Sequence, residues 1–172
     1  MKFIQGILAL GLLALSVTTK ANAYPFDIQG YGIVKSVVDG DTYDILSVRQ
    51  EPVSELQRHA AVRSTRYING STFRVRLASV DTEESNHPDK SRNTKKGKLT
   101  KIAVKKMLEG RNVHYKCYDI GKYGRAICNI SLVIANRKVD VGAKLISLGL
   151  SKYETKYGVN PYMHDVYKRI SR

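Results

Sequence analysis

The segment from residue 72 to 85, Thr-Phe-Arg-Val-Arg-Leu-Ala-Ser-Val-Asp-Thr-Glu-Glu-Ser, constrains the fold more than any other part of the chain. Its first half alternates, with Phe73, Val75 and Leu77 on one side and Arg74 and Arg76 on the other. That period of two specifies a half-buried strand. Its second half gathers Asp81, Glu83 and Glu84 within four residues. Along an uninterrupted strand Arg76 and Asp81, five residues apart, point to opposite faces. They share a site only if the strand bends or ends near Val80, and strand ends at a barrel rim often display reactive groups. Taken alone, the segment also reads as a strand followed by a solvated acidic turn.

The remaining β signals surround this one. Residues 31–38 have strand character, and Asp39-Gly40-Asp41-Thr42 is a hairpin turn leading into a returning strand at 43–48. Residues 112–118 and 125–135 form the arms of a second hairpin across Gly121-Lys122-Tyr123-Gly124. Between these pairs, residues 98–110 read as an amphipathic helix, with Leu99, Ile102, Ala103 and Met107 as the core stripe and Gly110 as its stop. Residues 136–138 read as a turn. A second helix spans 139–148, with Val141, Leu145 and Leu148 inward and Gly149 closing it. After an irregular stretch through Pro161, a short basic helix runs toward Arg172. The polar segment 49–70 reads as an inserted surface loop with room for a short helix at 53–62. Five strands with two to three α-helices so placed predict an α+β chain, a five-stranded Greek-key barrel of the OB-fold type.

Residues 1–23 carry a basic start at Lys2, an apolar run over 3–17, and small residues at Ala21 and Ala23. This is the pattern of a secretory signal peptide, too short to span a membrane comfortably. Cleavage after Ala23 leaves a single domain, 24–172, exported to the periplasm or secreted, with no membrane anchor. The whole chain has a net charge of +14; the leader contributes two lysines and no acid, so the mature domain carries +12. Such an excess points to a polyanionic partner, nucleic acid or an anionic membrane surface. Cys117 and Cys128 flank the second hairpin. In an exported chain without a Cys/His cluster, a disulfide is the better reading than a metal site.

Three separated segments offer matching chemistry. Asp41 and Asp81 are hard oxygen donors suited to Ca²⁺ or Mg²⁺. Arg76 and Arg125 carry planar, permanently charged forks suited to a phosphate. Glu84 is a carboxylate able to deprotonate an attacking water. Phosphodiester hydrolysis needs this set. Each piece is unspecific by itself.

Their order is specific. Asp39-Gly40-Asp41-Thr42, then Val75-Arg76-Leu77 through Val80-Asp81-Thr82 and Glu84, then Lys122-Tyr123-Gly124-Arg125, resembles the staphylococcal nuclease (thermonuclease) family. His87-Pro88, the lysine-rich helix and residues 139–150 are similar to it too, so the likeness covers about residues 31 to 158. The resemblance implies a calcium-dependent endonuclease acting on DNA and RNA. It implies Asp41, Asp81 and the Thr82 carbonyl as metal ligands, Arg76 and Arg125 as phosphate-binding catalytic arginines, and Glu84 as the base. Lys122 and Tyr123 match contacts to a terminal phosphate, and Tyr157 stands two residues beyond the position of a stacking tyrosine, where this chain has Thr155. Glu83 replaces the family's usual proline, which places a second carboxylate beside the base. The alternatives are a non-catalytic OB-fold protein that binds nucleic acid without cutting it, and a basic structural protein of the envelope. No protein partner is inferable.

Overall fold

The computed structural model describes residues 26–60 and 65–172; the expected signal peptide lies outside the described residues. Strand β1 (Ile28–Asp39) turns through Gly40 and Asp41 into β2 (Thr42–Ser47), with Asp39 paired to Thr42. Strand β4 (Thr72–Leu77) runs antiparallel to β2, placing Tyr43 opposite Val75. On the other edge of β1 lies β6 (Asn112–Ile120), which continues to β7 (Ala126–Ile134). Parallel pairing of β7 with β4, Val75 to Ala126 and Leu77 to Cys128, closes the barrel. These five strands are the OB-fold barrel that the sequence predicts. The short strands β3 (Ile68–Asn69) and β8 (Arg137–Asp140) extend its sheet, while β5 (Val80–Asp81) and β9 (Lys152–Tyr153) pair with each other in a separate two-stranded sheet. Strand β8 returns on β7 through Ala135 and Asn136, both at positive φ, the backbone of a tight hairpin turn.

Alternation along each strand sends Val34, Ile45, Phe73, Val75, Leu77, Val113, Tyr115 and Ile130 into one continuous core. The same alternation leaves Arg74 and Arg76 on the outer face of β4. Among the described residues four α-helices pack around the barrel: α1 (Glu51–Ala60), α2 (Lys95–Leu108), α3 (Val141–Ser147) and α4 (His164–Ile170). No helix among the described residues is long and apolar enough to cross a membrane.

Three expectations need correction. The segment 49–70 is not simply a surface loop, because α1 buries Val53, Leu56 and Ala60 completely in the core. Their i, i+3, i+7 spacing is a helical face that a polar average conceals. The core side of α2 is Gly97, Thr100, Val104 and Leu108, whereas Leu99 and Ile102 are 58% and 52% exposed. Helix α2 is turned by about one residue from the expected facing because Gly97 lies against the Glu83 and Glu84 carbonyls, where no side chain fits. Helix α3 begins only at Val141; Val139 belongs to β8, and Leu148 is exposed while Ile146 is buried. The start of α3 is set by Asp140, whose carboxylate accepts from the Ala143 N–H at 2.7 Å. Helix α4 docks on α3 where Gly142 has no side chain. The buried Tyr167 hydroxyl donates to Asp140 Oδ1 at 2.8 Å.

Cys117 and Cys128 sit directly opposite one another on β6 and β7 and are joined by a disulfide. Reducing it is expected to cost on the order of 2–3 kcal/mol of stability, the chain-entropy value for a loop this short. Urea titrations with and without reductant measure the difference. Identical midpoints would show that the bond adds nothing to stability.

Candidate active site

Strand β4 ends at Leu77, and the chain turns through Ala78 and Ser79, the latter at φ +54°. This bend brings Asp81, on β5, back beside the Arg76 side chain. The guanidinium Nη2 donates to Asp81 Oδ1 at 2.9 Å, and Nη1 donates to the Val80 carbonyl at 2.8 Å. Nη1 also lies 2.5 Å from Asp41 Oδ2. One arginine therefore joins carboxylates from the β1–β2 turn and from β5.

Asp41 is buried, and its Oδ2 accepts from the Thr82 backbone N–H at 3.0 Å and the Thr82 hydroxyl at 2.8 Å. That approach requires glycine at position 40, since a Cβ there would sit 2.7 Å from Thr82 Oγ1. Asp39, also buried, accepts from the Ser85 hydroxyl at 2.5 Å. The turn and the acidic segment are thus laced together from both ends.

Glu83 and Glu84 diverge. Glu83 accepts from the Thr94 hydroxyl at 2.7 Å and pairs with Lys96 at 3.3 Å, on the N-terminal turn of α2. Those donors hold its carboxyl below the usual range, the Thr94 hydroxyl bond contributing most. Glu84 turns the other way, toward Asp39 and Asp41. Partial burial first, then the Asp39 carboxylate, pushes its carboxyl above the usual range. Its backbone is fixed by the Thr94 N–H, which donates to the Glu84 carbonyl at 2.9 Å. Gly97→Ala is expected to destabilise the protein by about 1–3 kcal/mol, because the new methyl displaces the Glu83–Glu84 backbone. A melt shifted by no more than the usual surface substitution would show that this contact is loose.

Arg125 follows the Gly121–Gly124 turn, in which Gly124 takes φ +81°. Its Nη1 donates to the Thr42 hydroxyl at 3.3 Å. Among the described residues no carboxylate forms an ion pair with it. Burial, and then the neighbouring Arg76, lower its pKa from the ordinary guanidinium value, while Asp41 and Glu84 oppose that shift. At the rim Lys122 lies 4.7 Å from the centre of the Tyr123 ring, and bonding to that phenol raises the ammonium's pKa. Tyr157 stands 88% exposed, within electrostatic reach of Lys122.

The structure therefore interlocks Arg76, Asp41, Asp81 and Thr82, sets Arg125 and Glu84 beside them, and leaves Lys122, Tyr123 and Tyr157 on the rim. Sequence reasoning missed Asp39, Thr42, Ser85 and Gly97. Asp39 carried a signal, an acid two residues before Asp41, but an Asp-Gly turn accounts for it without any function. Among the described residues no cluster of three or more His, Cys, Asp or Glu side chains is assembled as a metal cage. The donor set nevertheless fits a hard cation completed by water. All its groups are oxygens, Arg76 already pairs with both Asp41 and Asp81, and burial together with the neighbouring Asp39 and Asp41 carboxylates raises the Glu84 carboxyl.

No curated protein matches the sequence. A family model, the staphylococcal nuclease homologue, matches residues 74–171. That stretch is more than half of the chain and runs from the arginines of β4 through Asp81, Glu84 and Arg125 to the last helix. With the closed five-stranded barrel, it establishes that the chain belongs to the staphylococcal nuclease homologue family.

Proposed function

We propose that the protein is an exported, metal-dependent endonuclease that hydrolyses phosphodiester bonds of DNA and RNA with little sequence preference. One observation carries this reading. A partly buried guanidinium, Arg125, stands without a carboxylate partner among the described residues, beside Arg76 and near a Glu84 carboxyl of raised basicity. Desolvating a permanent cation is costly unless an anion completes its shell, and a phosphate fits that place.

In this reading Arg125 and Arg76 grip the phosphoryl oxygens and stabilise the charge that grows there in the transition state. Glu84 takes a proton from a water molecule as its oxygen attacks phosphorus and an ester P–O bond breaks. Asp39, bonded to Ser85, lies beside that carboxylate and adds to the effect of burial in making it the better base. Asp41, Asp81 and the Thr82 carbonyl would hold Ca²⁺, or Mg²⁺, which when bound polarises the phosphate and acidifies water. Lys122, Tyr123 and Tyr157 form the wall against which a nucleotide end rests. Low sequence preference follows because contacts to phosphate carry no base information. The leader pattern and the disulfide support a periplasmic or secreted location.

Incubating the mature protein with DNA and with RNA, in Ca²⁺, in Mg²⁺ and in chelator, tests the proposal. Cleavage that requires the cation is expected. Tight binding without cleavage under every ion would instead favour the non-catalytic OB-fold reading. Intact mass of protein recovered from its native host should place the mature N-terminus at Tyr24; a start far from it would remove the argument for export.

A further inference from the structure

Beyond the arginines of the site, the outer face of β4 continues into an aromatic and basic row that the roles above do not use. Tyr67 immediately precedes β3 and is tied to β4 by the Arg74 N–H, which donates to the Tyr67 carbonyl at 2.9 Å. Two guanidinium carbons lie over its partly buried ring, that of Arg66 at 4.7 Å and that of Arg74 at 4.9 Å from the centre. Arg74 is not a loose surface cation. Its Nε and Nη2 donate to the two oxygens of Asp44 at 2.7 and 3.0 Å, and Asp44 also accepts from Ser36 at 2.8 Å. The ring is therefore held on a rigid, charged platform. The same phenol is near enough to Arg125 to act on its charge.

We propose that Tyr67, with Arg66 and Arg74, is a further nucleotide subsite that holds a single-stranded substrate beyond the phosphate gripped by Arg76 and Arg125. The inference rests on the nuclease reading for what lies next door, not for its own chemistry. A strand leaving Arg125 along β4 meets a planar arene and two guanidinium planes, groups that stack on any base. Arg66 adds positive charge for an adjoining phosphate, while Arg74, committed to Asp44, keeps the ring in place. Such a platform favours unpaired nucleic acid, since a duplex keeps its base faces occupied. Its position just before β3 extends the groove along the outer face of β4.

The test compares binding of fluorescent oligothymidylates of three and ten nucleotides, in chelator so that nothing is cut. For the decamer, Tyr67→Ala is expected to weaken binding about tenfold, within the range that stacking on one aromatic ring supplies. Tyr67→Phe should bind within about twofold of wild type, because the ring face remains. The trimer, filling only the space at Arg76 and Arg125, should bind all three proteins alike. Arg66→Ala should lower the slope of log K against log salt for the decamer by about 0.7, one phosphate contact on a single strand. Unchanged decamer binding by Tyr67→Ala would overturn the subsite. Equal loss for trimer and decamer would overturn it too, since Tyr67 would then act through Arg125. The comparison reads binding alone, so a protein that binds as described but never cleaves would overturn only the nuclease reading.

Discussion

Glu84→Gln is expected to lose about 10²–10⁴ in turnover while nucleic-acid affinity holds or rises slightly, the pattern for removing a general base and one negative charge. Glu83→Gln, one residue away, should change turnover by less than about tenfold, well below the effect of losing a general base. The argument is geometric. Adjacent side chains in an extended segment diverge, and here the divergence is anchored at both ends. Glu83 is engaged by Thr94 and Lys96 at the start of α2, on the side away from the arginines. Glu84 faces Asp39 and Asp41, and burial together with those acids makes its carboxyl more basic than an ordinary glutamate. A weaker effect of Glu83→Gln on stability follows from its surface pairing with Lys96, where both partners are near half exposed. Single-turnover rates and binding for both variants at fixed salt decide the matter. The reverse ranking would move the base to Glu83, and two active variants would mean that the hydroxide arises without either carboxylate.

The barrel was legible because its strands obey a period of two and its hairpins carry explicit turn chemistry, Asp39-Gly40 and Gly121 to Gly124. Binary pattern and turn signals agreed there, so the strands at 31–38 and 43–48 fall within one to three residues of their observed ends, and the alternating first half of 72–85 is β4. Helix facing was a different problem. In α2 hydropathy ranks Leu99 and Ile102 above Gly97 and Thr100, yet the helix turns by the fit of Gly97 against two carbonyls, a contact from far along the chain. In α1 three buried side chains among polar neighbours sufficed to seat a helix in the core. The site shows the same division. Sequence order singles out Asp41, Arg76, Asp81, Glu84 and Arg125, but Asp39 acquires meaning only when Ser85 and Glu84 fold against it. Thr42 likewise joins the site through its hydroxyl, which donates to Asp41 and accepts from Arg125, the residue just before β7. The rim tyrosines are less defined: Tyr157 projects into solvent, so its part depends on a nucleotide to cover it.

Arg76→Lys and Arg125→Lys should each cost about 10²–10³ in turnover, the usual consequence of losing one preorganised transition-state donor. Their effects on stability should separate them. Arg76 reaches Asp41, Asp81 and the Val80 carbonyl at once through two nitrogens. A single ammonium on a flexible stem cannot span that set, and Asp41 is buried. Arg76→Lys is therefore expected to lose about 1–3 kcal/mol of stability as well, the cost of a buried acceptor left short of its donor. Among the described residues the Arg125 side chain makes a 3.3 Å bond to Thr42 and lies 5.8 Å from the centre of the exposed Tyr123 ring, so Arg125→Lys should melt nearly as the parent does. It should nonetheless lose turnover heavily. A lysine keeps the charge but presents a single ammonium where the guanidinium offers a planar two-pronged face to the phosphate. Turnover at saturating cation and substrate, measured beside thermal melts of both variants, tests the pair. Near-normal turnover in Arg125→Lys would make that arginine a bystander. A melt for Arg76→Lys as high as the parent's would show that its bridge between the two aspartates adds nothing to the fold.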